Sequence, residues 1–510
     1  MDLVNNQRKA GIVLSYISMF FSIAIGLIYV PMLLHFLGKE QYGLYQLMGS
    51  LIAYMAVMDF GLANTITRYY SRYLALKDEE NQSNVLAISS IIYGVITLVV
   101  LIAGVIIYFK LGDIFKNSLT VDELVKAKQI YIIQMINIVI TIPSNIFTAV
   151  INSHERFIFI RGLSILQTVL QPFVVIAVMY YKADVIGLVI VISIFNIGTI
   201  LIKIYYAMFK IKARIKLYCW NKVLVKEMTI FSFFIFLNMV IDQIYFKTDQ
   251  IILGIVAGTS VVAVYSIASQ LDQYYINFSS SVNSVFLPRI AAISAKTEDM
   301  TEINSMFNKV GRIQYAIMAM LLSGFVMYGK SFIVFWAGPD FSGAYYMSLI
   351  VMVPLLVPLI QSMGIVIIQA KNKHAFRSKM YFVIALLNVA LSIPLAKMYG
   401  GIGCAIGTAI GLIIGNWFVI NFYYHKVIGI DIIDFGKEIL SMTPPIAIVM
   451  GIGIVTNHFI ATSNLVILGI KMIVYVILYS VLMWYMGLNA YEKNIFLGMF
   501  NKIKKKRKRV

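Results

Sequence analysis

Disulfides, metal centres and a soluble surface are all poorly supplied in this chain. Only two cysteines, Cys219 and Cys404, occur in 510 residues, and they fall on opposite predicted sides of a membrane, so no disulfide framework follows. Five histidines, His35, His154, His374, His425 and His458, are scattered without metal-ligand spacing. Of these, His154 and His374 lie in the basic segments "NSHERFIFIR" and "QAKNKHAFR" and read as solvated residues at a membrane interface. Charged residues make up 13% of the chain against 60% hydrophobic, with a mean hydropathy of +0.85. A soluble domain carries about 25% charge, so this composition excludes one. A cleavable leader is not expected either. The first apolar run, Ile12 to Leu37, is longer than a signal-peptide core and has no small-residue cleavage site behind it, so it is expected to stay as the first span.

What the chain has instead is a series of apolar runs from Gly11 to about Gly487, each long enough to cross a hydrocarbon layer about 30 Å thick. The reading is an all-α polytopic membrane protein of about 14 transmembrane helices: 11–37, 43–68, 85–109, 129–152, 158–181, 185–207, 231–257, 260–290, 308–330, 345–370, 378–397, 401–424, 439–460 and 464–487. No soluble domain has room to fold between them.

Charge placement sets the orientation. The net charge of +19 could suggest a nucleic-acid partner, but its distribution argues otherwise. With the N-terminus inside, 32 of the 42 Lys and Arg residues fall on the cytoplasmic side, eight fall outside, and two, Lys247 and Lys471, fall within spans. This is the positive-inside pattern. The tail "KIKKKRKRV" from Lys502 fits it as a topology-fixing cytoplasmic segment beside anionic lipid.

The chain also repeats itself. "LGKEQYGLYQL" from Leu37 aligns with "AGTSVVAVYSI" from Ala257 at an offset of 220, which also carries "SRYLALKDEE" from Ser71 onto "AAISAKTEDM" from Ala291. Chance likeness between apolar helices is the competing account, and the matched loop residues weigh against it. The expected organisation is an N-terminal lobe over 1–223, a C-terminal lobe over 224–430, extra helices over 431–490 and a basic cytoplasmic tail over 491–510. Parallel repeats of this kind are typical of transporters, with the substrate path between the halves. Shifted back by the offset, Lys247 and Asp249 land on Leu27 and Tyr29 inside the first span, so both charges are expected in the membrane.

Those charges belong to polar arcs. At 100° per residue, Asn238, Asp242, Gln243, Lys247, Asp249 and Gln250 occupy about half the circumference of span seven, while Val240, Ile241, Ile244, Ile251 and Ile252 fill the rest. Span eight gathers Asp272, Gln273, Asn277, Ser280, Asn283 and Ser284 on one side. Amides and carboxylates facing lipid would have no partners, so the two arcs predict a shared hydrated cavity. The blander reading is that Lys247 pairs with Asp249, Asp242 or Asp272 only to hold helices together. In the first half, Asp59, Asn64 and Arg68 on span two are sparser, and Arg289 follows Pro288 at the matching end of span eight. Arg68 and Arg289 also read as interfacial anchors.

"LLHFLGKEQYGLYQL" (Leu33 to Leu47), "DFGLANTITRYYSRY" (Asp59 to Tyr73), "TDQIILGIVAGTSVVAVYSIA" (Thr248 to Ala268) and "FWAGPDF" (Phe335 to Phe341) together resemble the Wzx-type polysaccharide flippases of the multidrug/oligosaccharidyl-lipid/polysaccharide exporter superfamily. The resemblance runs over nearly the whole chain. It implies two pseudo-symmetric six-helix lobes plus a C-terminal helix pair, working by alternating access in a bacterial plasma (inner) membrane with both termini cytoplasmic. It implies as substrate an undecaprenyl-pyrophosphate-linked oligosaccharide, turned to the outer leaflet for O-antigen (lipopolysaccharide), capsule or exopolysaccharide assembly. An ion gradient or the membrane potential would drive it, with H⁺ or Na⁺ as coupling ion and no other cofactor. The implied partners are the lipid-linked oligosaccharide, membrane lipids and polysaccharide assembly proteins, the protein itself being a monomer that binds no nucleic acid.

The residues fit that chemistry. A pyrophosphate needs cations that replace its water, for which Lys247, Arg68 and Arg289 are candidates. Asn64, Gln273, Asn277 and Asn283 are candidates for sugar contact, and Asp242, Asp249 and Asp272 for taking up an ion.

Other readings remain in view. "GFVMYGKS", Gly324 to Ser331, matches the phosphate-loop pattern but closes an apolar span at the predicted outer face, without the strand, loop and helix that pattern needs. A drug/cation antiporter of the same superfamily should have a net acidic site, unlike one with Lys247 and Arg68. A membrane polysaccharide polymerase or ligase would need acids and bases on the outer side. The largest outer loop, "KLGDIFKNSLTVDELVKAK", offers Asp113, Asp122 and Glu123 with no matching His or Arg cluster. The protein is therefore expected not to be an enzyme.

Overall fold

The computed structural model describes residues 2–296, 299–371 and 373–494 together with Leu497; the basic tail from Lys502 lies outside the described residues. Among them the chain is helix, turn and short connection, without strand. It divides into two compact units, Met1–Ser266 with Ala396–Gly401 and Ile267–Leu395 with Ile402–Val510.

The first unit opens with α1 (Asp2–Val57), which leaves helical geometry at Gly38 (φ 72°, ψ 175°). That backbone conformation suits glycine, and it divides α1 where the first two predicted spans meet. The second span is broken in turn at Phe60 and Gly61, both at positive φ, before α2 (Leu62–Ala75) begins. The helix α3 (Glu79–Ile114) starts at Asp78, whose carboxylate accepts from Asn81 Nδ2 at 2.7 Å and the Asn81 amide at 3.0 Å. Those two bonds hold the Asp78 carboxyl below the usual carboxylate range. A capping box of Thr120 and Glu123 starts α4 (Val121–Ser153). At the other end of α4, burial pushes the His154 imidazole down. Next come α5 (Phe157–Tyr181) and α6 (Val185–Tyr205), the latter continued by a π-helical turn to Lys210. Then follow α7 (Lys222–Val256) and α8 (Thr259–Lys296), which belongs to the second unit from Ile267 onward. The core joins α2, α3 and α4 through Ile66, Tyr70, Val85, Ile88, Ile142 and Ile146. Asn84 ties the connection before α7 to this core, its Oδ1 accepting from the Tyr218 amide at 2.7 Å and the Cys219 amide at 3.2 Å.

The second unit contains α9 (Met300–Trp336), α10 (Ala344–Ile360), α11 (Met363–Ala370) and α12 (His374–Leu412) apart from Ala396–Gly401, within which α12 is interrupted at Gly400 (φ 55°). Past α12 the chain continues through π-helical segments on either side of α13 (Asn421–Tyr423), then through α14 (Ile432–Leu440), α15 (Thr443–Phe459) and α16 (Leu465–Leu482). Gly324 to Ser331 lies wholly inside α9, a continuous helix, so the phosphate-loop geometry is absent.

Two basic residues in this unit have their hydrogen-bond donors engaged. Arg312 on α9 donates through Nε to Glu492 at 2.6 Å and through Nη1 to Glu438 at 2.7 Å, and its Nη2 reaches the Gly487 carbonyl at 2.8 Å. Glu492 is fully buried. Lys471 on α16 donates to Asn457 Oδ1 and Thr462 Oγ1 at 2.9 Å each and to the Ile460 carbonyl at 2.5 Å. It thereby satisfies the carboxyl end of α15 with all three of its N–H groups.

Among the described residues, eleven helical stretches are long and apolar enough to cross a membrane. Two of them, Val13–Ala75 and Phe376–Ile428, contain the breaks at Gly38 and Gly400. Dividing both there and counting α8 recovers fourteen helices. Outward-facing apolar side chains such as Phe109, Leu201 and Ile473, each at least 60% exposed, are the lipid-facing surface that such spans require.

Candidate functional site

In the first unit, the polar arc of α7 separates into two parts. Its carboxyl-terminal part is bound to its neighbours: Ser50 donates to Gln250, the hydroxyls of Tyr54 and Thr248 are hydrogen-bonded, and Tyr265 donates to Asp249 at 2.5 Å. Asp249 and Gln250 are each only 2% exposed. Glycine makes the close packing feasible. A Cβ on Gly43 would strike the Thr259 carbonyl, and one on Gly254 would strike Leu47. Thr259 is also held from α4, donating to Glu123 Oε1 at 2.6 Å.

The amino-terminal part of α7 is open. Asn238 and Asp242 are exposed and lie one turn apart, with Asn238 Nδ2 donating back to the Phe234 carbonyl at 2.8 Å. Lys247 is half-buried and makes no hydrogen bond or ion pair among the described residues.

Antiparallel to this part runs α2. Gly61 abuts Ile235, Thr65 bonds Ser232 at 2.7 Å, and the Arg68 guanidinium sits 4.5 Å above the Phe231 ring. Phe60 stacks on Phe236 at 4.2 Å. Asn64 and Arg68, one helical turn apart, are therefore both exposed beside α7. Asp59 is nearly buried, and its Oδ1 accepts from Asn145 at 3.1 Å.

In the second unit, Gln273 is exposed and donates to Asn277 at 3.1 Å. Asp272 carries a buried Oδ1 without a hydrogen bond among the described residues. Asn283 is held in a knot, with Ser362 Oγ donating to its Oδ1 at 2.6 Å and the buried Gln314 amide 2.5 Å away. The side chains of Ser284 and Arg289 lie outside the described residues.

The structure thus brings Asn64 and Arg68 to α7, leaves Asp242 and Lys247 accessible and engages Asp249 with Tyr265. Ser50, Tyr54 and Tyr265, which bind the arc, were not singled out by sequence. Their one signal is the four-residue spacing of Ser50 and Tyr54 within an apolar span. No group of three or more His, Cys, Asp or Glu suited to a metal occurs among the described residues. The outer-loop acids have structural roles: Asp113 pairs with Lys110 at 3.2 Å, Asp122 lies in the first turn of α4, and Glu123 caps that helix.

A family model described as "Polysaccharide biosynthesis protein" matches residues 9–294, more than half of the chain. The chain belongs to that family. Among its relatives, a protein assigned as an O-antigen transporter in Shigella flexneri is 18% identical over 383 residues, covering 74% of this chain and 88% of that one. A protein assigned as the flippase AglR of Haloferax volcanii is 23% identical over 177 residues, covering 34% of this chain but only 36% of that protein. The fold matches that of the lipid II flippase MurJ in an inward closed conformation, with a TM-score of 0.73 at 18% identity over 92% of this chain and 98% of that one. It also matches an inward-facing multidrug resistance MATE transporter of the MOP superfamily, with a TM-score of 0.62 at 13% identity over 84% of this chain and 99% of that one. The family membership bears out the resemblance carried by the sequence motifs. The chain is a multi-pass membrane protein of that family, with the fold of the flippase and transporter structures it matches.

Proposed function

We propose that the protein carries an undecaprenyl-pyrophosphate-linked oligosaccharide, a repeat unit of O-antigen, capsule or exopolysaccharide, from the inner to the outer leaflet of a bacterial plasma membrane. The cycle is alternating access coupled to an ion or to the membrane potential. The observation that carries this reading is the accessible cation and amide pair on α2, Arg68 with Asn64, beside an α7 whose Lys247 has no carboxylate partner among the described residues. Cations without carboxylate partners suit a pyrophosphate, because a paired carboxylate would compete with it.

In this reading Arg68, Lys247 and Arg289 attract the pyrophosphate, and Asn64, Gln273, Asn277 and Asn283 contact sugar, Asn283 by exchanging its bond from Ser362. Asp242, Asp249 and Asp272 are the ion-coupling carboxylates, with Tyr265 releasing Asp249 when it takes up its ion.

The test is reconstitution of the protein in vesicles with lipid-linked oligosaccharides of differing composition, following their arrival in the opposite leaflet under imposed pH, Na⁺ and voltage gradients. Gradient-dependent arrival that falls in Arg68→Ala and Lys247→Ala is expected. Arrival that is unchanged in both variants rejects the residue assignment, and no arrival with any substrate rejects the function. If Asp242→Asn and Asp272→Asn leave the pH and Na⁺ dependence intact, ion coupling at those positions is wrong. A second reading, a drug/cation antiporter, is favoured by the fold shared with the MATE transporter. Drug resistance conferred by expression, without leaflet transfer of glycolipid, selects it.

A further inference from the structure

The second unit holds a cation with no counterion among the described residues. Between Asp340 and Asp431 the sequence contains no acidic residue, while Lys371, Lys373, Arg377, Lys379, Lys397 and Lys426 all fall there. Four of these six cluster where the chain enters α12. Two have backbone work: Lys371 Nζ donates to the Ile428 carbonyl at 3.3 Å and Lys373 Nζ to the Val427 carbonyl at 3.1 Å, closing the carboxyl end of the π-helical segment at Gly429. Lys379 is exposed.

Arg377 differs from all of them. It is half-buried, its Nε is buried without a hydrogen bond, and its guanidinium makes no hydrogen bond or ion pair among the described residues. The group has five N–H donors in a fixed fork, and leaving the buried Nε–H without an acceptor is costly. Its place is nonetheless built. The guanidinium lies 4.5 Å from the centre of the Tyr381 ring, and Tyr381 is itself fixed by donating to Asn416 at 2.6 Å. Asn416 and the neighbouring Tyr424 are buried, and Gly364 allows Tyr424 its position, since a Cβ there would meet the Tyr424 ring. A planar cation held over a fixed ring, with its fork unused among the described residues and no acid near it along the sequence, is the arrangement that receives a planar or tetrahedral oxyanion.

We propose that Arg377, positioned by Tyr381 and Asn416, is a phosphate-binding site of the second unit. Its ligand chemistry is a phosphate or pyrophosphate ester. One source is the pyrophosphate of the carried glycolipid, which rests on the function proposed above. The other is the headgroup of an anionic phospholipid of the surrounding leaflet.

The full-length protein in nanodiscs distinguishes them. Inorganic pyrophosphate is titrated in phosphatidylcholine nanodiscs, and retained lipid is counted by native mass spectrometry after exchange into nanodiscs containing phosphatidylglycerol. Arg377→Gln is expected to weaken one of the two by about tenfold or more. Loss of pyrophosphate binding alone identifies the glycolipid end, and loss of phosphatidylglycerol alone identifies the headgroup. Arg377→Lys, which keeps charge but not the fork, is expected to fall between, and it carries the test if Arg377→Gln does not fold. Lys379→Gln, on the exposed neighbour, is expected to leave both unchanged.

If Arg377→Gln and Arg377→Lys bind both probes as the wild type does, or if Lys379→Gln loses as much as Arg377→Gln, the guanidinium only stacks on Tyr381 and the site is rejected. The two proposals fail separately. Glycolipid transfer with unaltered binding in the Arg377 variants removes the site and leaves the function. Arg377-dependent binding in a protein that transfers no glycolipid does the reverse.

Discussion

Lys247 and Lys471 are the two basic residues that the sequence places inside apolar spans, and the structure treats them oppositely. All three N–H groups of Lys471 are used, by Asn457, Ile460 and Thr462. Lys247 has no partner of this kind among the described residues. Within the second unit the same contrast separates Arg312, enclosed by Glu438 and Glu492, from Arg377, which lies over a tyrosine ring with no hydrogen bond or ion pair among the described residues. A charge in an apolar span therefore has two meanings. Where its bonding capacity is filled it is part of the scaffold, and where it is unfilled it is available to a ligand.

That contrast is broken most decisively at Arg312. Arg312→Ala leaves Glu492 buried and uncompensated, and is expected to destabilise the protein by about 3–5 kcal/mol, read as a large drop in thermal unfolding temperature in detergent. Should it unfold no earlier than Arg377→Ala, the distinction between filled and unfilled cations is lost. Lys471→Met ranks next, at about 1–3 kcal/mol for the carbonyl and amide it strands, measured the same way. Lys247→Met is expected to leave the unfolding temperature within the range of surface changes, roughly 0.5 kcal/mol, while reducing glycolipid transfer about tenfold; a stability loss matching that of Lys471→Met would put Lys247 in the scaffold.

The smallest effect is expected at Asp78. Its carboxyl is held below the usual range by Asn81, so the cap it forms on α3 stabilises the fold above the unfolded carboxylate pKa of about 3.9, and that contribution is lost as pH falls through the lower folded value. Asp78→Asn keeps a capping oxygen but removes the titration, and should flatten the acid side of a stability–pH curve measured between about pH 5 and 2.

Much of the architecture was legible in the sequence because it is written in local signals. The apolar runs gave the spans, and glycine at residues 38 and 400 breaks the helices in or near the predicted connections. The break at Phe60 and Gly61 inside the second predicted span was not legible, because a left-handed phenylalanine has no sequence signature. The site was legible only in outline. Periodicity put Asp242, Lys247, Asp249 and Gln250 on one arc, but periodicity cannot distinguish a face packed on Ser50 and Tyr265 from one left open. Arg377 was counted among the positive-inside residues, since a basic residue at a cytoplasmic helix end looks the same whether or not it has a counterion. Pairings such as Arg312 with Glu492 join residues 180 positions apart and leave no trace in any window of sequence.

The reach of that pairing bears on how the protein is made. A nascent chain emerges from its amino end, so Arg312 enters the bilayer long before Glu492 has been translated. Until then its guanidinium must be sheltered by water, lipid phosphate or the insertion machinery. Chains that stop short of both Glu438 and Glu492 would carry that cation without either carboxylate, giving membrane quality control a mark by which to recognise unfinished copies.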